Sequence, residues 1–189
     1  MIRDPKVPFP AYVYRARRKT DARRVVGYDA LVWLRVQHRL GVQGAVVFDI
    51  DDTILNHNES VTQGFEEMHT LFREASRLFP VYVVTARPRD QHGYVMQMLH
   101  KKGFYLSPDR LFLLPTEHYG GPSRLVEVFK WESVEAIRKS AGRIVARFGD
   151  KLWDVAPLAK LHEELKHVDD ADTYRFMDET CVYASKLPG

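Results

Sequence analysis

The sequence predicts an α/β fold, a three-layer sandwich with a central parallel sheet and helices on both faces. Two patterns predict it. Short apolar runs of strand length recur, and most are followed by segments whose apolar residues step by three and four, as in a chain of βαβ units. The runs are continuous rather than alternating, which suits strands buried on both faces. At 189 residues, 45% hydrophobic and 28% charged, the chain has the size and content of one globular domain. No apolar stretch approaches the roughly 20 residues of a membrane helix. The first residues hold no apolar signal core. The single cysteine, Cys181, excludes an intrachain disulfide and reads as a buried thiol in a reducing, cytoplasmic setting.

The elements follow in order. Residues 1–20 form a basic arm holding Pro5, Pro8 and Pro10, which should run extended. A leading helix is expected over residues 21–41, with Val25, Tyr28, Leu31, Val32 and Val36 on one face and Gly41 as a stop. The core spans residues 45–189. Its first strand is Ala45, Val46, Val47, Phe48 and Asp49. A helix follows, with Ser60 and Gln63 at the capping-box spacing. Val61, Phe65, Met68, Phe72, Ala75 and Phe79 share its face, and Pro80 ends it. The second strand covers residues 81–85. Tyr94, Val95, Met98 and Leu99 mark a helix that Gly103 closes. Residues 110–114 form a third strand and 115–122 a loop. A helix over residues 131–140 turns Val134 and Ile137 inward, and residues 143–148 form the fourth strand. A short helix at 156–165 and a fifth strand at 180–184 complete the reading.

Charge is uneven. Residues 1–24 carry eight basic and two acidic side chains, a net of +6, and the remainder nets −3. Such an arm suits a polyanion or a phosphorylated partner, a solvated segment, or one that packs on the body through Phe9, Tyr12, Val13 and Tyr14.

In parallel sheets the site lies beyond the C-terminal strand ends, and polar residues gather there. Asp49, Asp51 and Asp52 follow the first strand, Thr85 ends the second, and Asp150 and Asp154 follow the fourth. Lys130 opens the helix after the third. Three carboxylates in four residues at a strand end repel one another with little solvation. A divalent cation such as magnesium, which favours carboxylate oxygens, removes that cost.

Together these residues resemble the haloacid dehalogenase (HAD) superfamily. Its first motif, Asp-x-Asp-x-Thr after an apolar strand, is matched by Asp49, Asp51 and Thr53. Its second, a Thr or Ser ending the next strand, is matched by Thr85. Its third, a Lys near a helix start, best fits Lys130, with Lys101, Lys102 and Lys139 as competitors. Its fourth, Gly-Asp-x-x-x-Asp, is matched by Gly149, Asp150 and Asp154. The resemblance covers residues 45–154 and implies a Rossmann-like HAD core. It implies a phosphatase in which Asp49 attacks phosphorus to form an aspartyl-phosphate and Asp51 serves as acid, then base. Thr85, Ala86, Arg87 and Lys130 would hold the phosphate, Arg87 with a surface role as the alternative. Mg2+ would be bound by the Asp49 side chain, the Asp51 backbone carbonyl and Asp150, with Asp154 assisting.

The spacing leaves no room for a sizeable cap domain. One helix fits between Thr53 and Thr85, and the 45 residues from Thr85 to Lys130 are spent on a helix, a strand and a loop. Family members with open sites often serve macromolecular phosphates, so the expected substrate is a nucleotide, a polynucleotide end or a phosphoprotein. His118, Tyr119, Gly120 and Gly121 line its entrance or form a plain surface loop. A catalytically silent phosphate-binding module and a receiver-like domain are the alternatives. The receiver reading fits poorly, because Asp49 and Asp51 share one strand end. No Gly-x-x-x-x-Gly-Lys loop supports a kinase.

Overall fold

The computed structural model describes residues 12–14, 19–56, 65–155, 173–177 and 183–187. The expected helix at 156–165, the expected capping pair Ser60 and Gln63, and Cys181 lie outside them. The described chain runs β1 (Tyr12–Tyr14), α1 (Lys19–Arg39), β2 (Ala45–Phe48), α2 (Glu66–Leu78), β3 (Val81–Pro88) and α3 (His92–Lys101). It continues with β4 (Leu111–Leu114), α4 (Ser123–Ala141), β5 (Ile144–Gly149), α5 (Leu152–Val155), β6 (Thr173–Met177) and β7 (Tyr183–Lys186). The strands form one sheet in the order β1-β6-β7-β5-β2-β3-β4. From β7 to β4 every neighbouring pair is parallel. This is the expected α/β sandwich with its parallel sheet.

Alternation along β2 divides the core. Val46 and Phe48 point to the face covered by α1, α2 and α3, where Leu34, Phe72 and Leu99 pack. Ala45 and Val47 point to the other, where Val134 and Ile137 of α4 cover them. Phe48 lies 4.8 Å from the ring of Phe148 in a stacked pair, so β2 and β5 are joined by side chains as well as by the ladder. That ladder carries a bulge. Ala45 pairs with Ile144 and Val46 with Ala146. The Trp33 indole of α1 donates to the carbonyl of the intervening Val145 at 3.0 Å, so the irregularity is satisfied by a side chain.

Four expectations are corrected. First, α1 buries Val26, Ala30 and Leu34, while Tyr28 is 71% exposed and Val32 and Val36 face solvent with Leu40. α1 carries two apolar stripes, each at a spacing of four, and the one with the smaller side chains faces inward. Second, α2 starts at Glu66, with Phe65 in extended backbone as its cap. The described helix thus begins later than the sequence predicts. Third, the sheet has two antiparallel strands on its β7 side, since β6 pairs antiparallel with β7, and β1 with β6. Part of the basic arm is thus an edge strand. Fourth, the last strand continues past Ala184 to Lys186, and β3 continues past Thr85 to Pro88. No helix among the described residues is long and apolar enough to cross a membrane.

Candidate active site

Parallel strands bring the ends of β2, β3 and β5 to one edge. The Asp49 N–H donates to the Phe148 carbonyl at 2.9 Å, extending the ladder one residue beyond β2. The chain then turns tightly, with the Ile50 carbonyl accepting from the N–H groups of Thr53, Ile54 and Leu55. Ile50, Ile54 and Leu55 are fully buried and pin this turn to the core. Asp52 takes a left-handed conformation at φ 53°, uncommon for a residue with a side chain and tolerated best by Asp and Asn. Thr53 is fully buried beneath the turn, and its hydroxyl has no hydrogen-bond partner among the described residues.

Lys130 lies inside α4 rather than at its start, because the helix already begins at Ser123. Its side chain nevertheless reaches Asp49 and Asp154. It shares the buried face with Ser133, Val134 and Ile137, the i, i+3, i+4, i+7 pattern of a core-facing stripe. That face carries its ammonium to the strand ends, where it donates to Asp49 Oδ1 at 2.5 Å and also to Asp154 Oδ1. Asp154 is held from the other side by the Lys151 N–H, which donates to its Oδ2 at 3.0 Å.

Asp49, Asp150 and Asp154 are each 6% exposed, and each presents an oxygen within 4.8 Å of the others. Gly149 makes this possible. A Cβ there would lie 2.1 Å from the Asp154 Cβ, so only glycine admits Asp154 beside the strand end. Burial pushes the Asp49 carboxyl well above the usual range, with Asp154, Asp150 and Asp51 adding to the rise against the pull of Lys130. Burial and then Asp154 push Asp150 up to about 7. Burial opposes the charge of Lys130, but Asp154 and Asp49 outweigh it and raise its pKa. Three ionised carboxylates outnumber the buried Lys130 ammonium and the partly exposed Lys151 ammonium 3.8 Å from Asp150, an excess of negative charge that a divalent cation offsets. The donor set is all carboxylate oxygen, the chemistry of Mg2+ or Ca2+ rather than of a thiolate or imidazole metal. The residues present fit a hard divalent ion.

Asp51 stands apart from this cluster. Its carboxylate is gripped by Arg87, Nε to Oδ2 at 3.0 Å and Nη2 to Oδ1 at 2.6 Å. Burial works against the Arg87 charge, but the hydrogen bond and charge of Asp51 raise its pKa above the ordinary value. Thr85 is fully buried at the same edge, and the Arg87 N–H points to its hydroxyl at 3.4 Å. The 115–122 loop follows β4 at this edge and contains the turn Thr116–His118. It is tied to the chain after β3 by the Asp90 N–H on Thr116 Oγ1 at 3.2 Å. The Arg87–Asp51 pair is the contact sequence reasoning missed.

Similarity enters only at the level of structure. No protein-family model matches the chain, and no curated protein matches its sequence. A solved structure of the class C acid phosphatase from Bacillus anthracis does, with a TM-score of 0.63 at 12% identity, over 92% of this chain and 80% of that one. The fold is like that of a class C acid phosphatase. The same Bacillus anthracis enzyme with tungstate bound matches at a TM-score of 0.58 and 11% identity, over 90% of this chain and 84% of that one. At these identities the likeness to the acid phosphatase is one of fold, and the chemistry rests on the side chains above.

Proposed function

We propose that the chain is a magnesium-dependent phosphatase of HAD type that hydrolyses phosphate monoesters through an aspartyl-phosphate. The observation that carries this reading is the buried group of Asp49, Asp150 and Asp154 around Lys130 at the strand ends. A phosphatase with this fold binds tungstate, a tetrahedral oxyanion like phosphate, which supports the reading.

Asp49 is the nucleophile. Its Oδ1 is neutralised by Lys130, and its other oxygen attacks phosphorus, displacing the leaving oxygen. Asp51, two residues on, gives that oxygen a proton and then takes one from the water that hydrolyses the aspartyl-phosphate. Thr85 and Lys130 donate to the phosphoryl oxygens, with the Ala86 backbone beside them. Asp49, Asp150, Asp154 and the Asp51 carbonyl would hold the cation, which supplies charge neutralisation for an anionic substrate among carboxylates. The described chain between Thr85 and Lys130 is spent on α3, β4 and the 115–122 loop. With no cap domain among the described residues, a site of this kind suits a nucleotide, a polynucleotide end or a phosphoprotein.

The test is hydrolysis of p-nitrophenyl phosphate. The wild type should turn over with Mg2+, stop in excess EDTA and recover on adding Mg2+ back. Asp49→Asn should lose roughly a thousandfold or more. Undiminished turnover in EDTA, or by a folded Asp49→Asn variant, contradicts the reading.

A further inference from the structure

We propose that Arg87 is a positioning residue that aims the Asp51 carboxylate at the leaving group. This rests on the acid–base role proposed for Asp51 and adds a residue that acts through it.

Three observations converge. The first is a bulge. Thr85 pairs with Leu113, but the next partner of β4, Leu114, is met by Pro88. Ala86 and Arg87 are therefore extra residues on β3, and bulges of this kind re-aim side chains beside active sites. Here the bulge lets Arg87 reach across to the turn after β2. The second is the shape of the contact. Nε and Nη2 take one Asp51 oxygen each, the two-pronged geometry that fixes a carboxylate in plane as well as in position. The third is the anchor at the far side, where Nη1 lies 3.4 Å from the Met98 sulfur of α3.

Asp51 needs such a hold. It sits beyond the end of β2 in a turn, beside the left-handed Asp52, with 27% of its side chain exposed. Its neighbour in the motif, Asp49, is fixed by Lys130 and by burial. Arg87 does for the acid–base residue what Lys130 does for the nucleophile. A lysine at position 87 would keep the charge and lose the fork.

The test compares two esters. A p-nitrophenolate leaves without a proton, whereas the alkoxide of glycerol phosphate needs one. A fault in Asp51 as acid therefore shows on the second in kcat/KM, which ends at formation of the aspartyl-phosphate, while its fault as base is common to both esters and shows in kcat. Arg87→Met and Arg87→Lys should each lower kcat/KM about tenfold more on glycerol phosphate than on p-nitrophenyl phosphate. In an Asp51→Asn background, Arg87→Met should add less than about twofold. Equal losses of kcat/KM on both esters, a rise confined to KM, full activity of Arg87→Lys on both esters, or an undiminished effect in the Asp51→Asn background overturns the assignment. If Arg87→Met fails to fold, the two-ester comparison on Arg87→Lys decides. Failure of the underlying reading looks different: Asp51→Asn itself would then keep wild-type turnover of glycerol phosphate.

Discussion

Gly149→Ala should cripple the site without touching a charged residue. A Cβ at position 149 would lie 2.1 Å from the Asp154 Cβ and 2.6 Å from its Cγ and Oδ2. Carbon atoms pack at about 3.5–4 Å, so Asp154 has to retreat by roughly 1.5 Å. That is enough to break its contact with Lys130. Removing one partner of a buried ion pair costs about 3–5 kcal/mol. The lower end applies, because Lys130 keeps Asp49 at 2.5 Å. For a chain of this size about 3 kcal/mol lowers Tm by roughly 6–12 °C. Divalent-cation affinity should fall about 10- to 100-fold as the third carboxylate moves off. Scanning calorimetry with and without Mg2+ measures both. Gly93→Ala is the control, since a Cβ there meets nothing within 4 Å. Its position in α3 should make it neutral or stabilising by up to about 1 kcal/mol. A Gly149→Ala protein with wild-type Tm and Mg2+ affinity would refute this reading of the Asp154 contact.

Asp150 gives a pH signature. Its carboxyl titrates near 3.8 ordinarily and at about 7 in the fold, so the folded chelated protein holds a proton that the unfolded chain has released. Stability should therefore fall as pH rises from about 4 to 7, by up to roughly 4 kcal/mol, and Mg2+ should reverse the loss most strongly at the upper end. A Tm in EDTA that rises across this window contradicts the account. The basic arm is tested by changing Arg15, Arg17 and Arg18 together to Gln. KM for a phosphorylated oligonucleotide should rise, with its salt dependence flattened by roughly one unit per lost phosphate contact, and kcat for p-nitrophenyl phosphate should hold. Equal loss on both substrates with a lowered Tm marks a segment that packs rather than recruits.

The parallel half of the fold was legible because continuous apolar strands and their following helices are local patterns. The residues at its C-terminal edge were legible for the same reason: Asp49, Thr85 and Asp150 each end or follow an apolar run. Of the lysines considered, Lys130 is the one that reaches Asp49 and Asp154, although its helix starts seven residues earlier. The sequence reading assigns residues 123–130 to no element, whereas the helix begins just after Pro122. What stayed hidden was non-local. Nothing in Tyr12, Val13 and Tyr14 announces that they pair with Arg175, Tyr174 and Thr173, some 160 residues away. The face of α1 was misread because hydrophobicity favours Tyr28, Val32 and Val36, while close packing favours the smaller Ala30, with Val26 and Leu34 beside it. Gly27 lies on the same helix, where an added Cβ would come 3.7 Å from the Glu67 carbonyl of α2. The Arg87–Asp51 pair was hidden by a bulge, which depends on how β3 meets β4.

The central claim is a covalent phosphoryl group on Asp49. Borohydride reduces an aspartyl-phosphate to homoserine, and peptide mass spectrometry locates the changed residue. With p-nitrophenyl phosphate and Mg2+ present, trapping should convert Asp49 and no other carboxylate, and omitting substrate or adding EDTA should abolish the change. Continued turnover with Asp49 unmodified, or homoserine at another aspartate, would contradict the account.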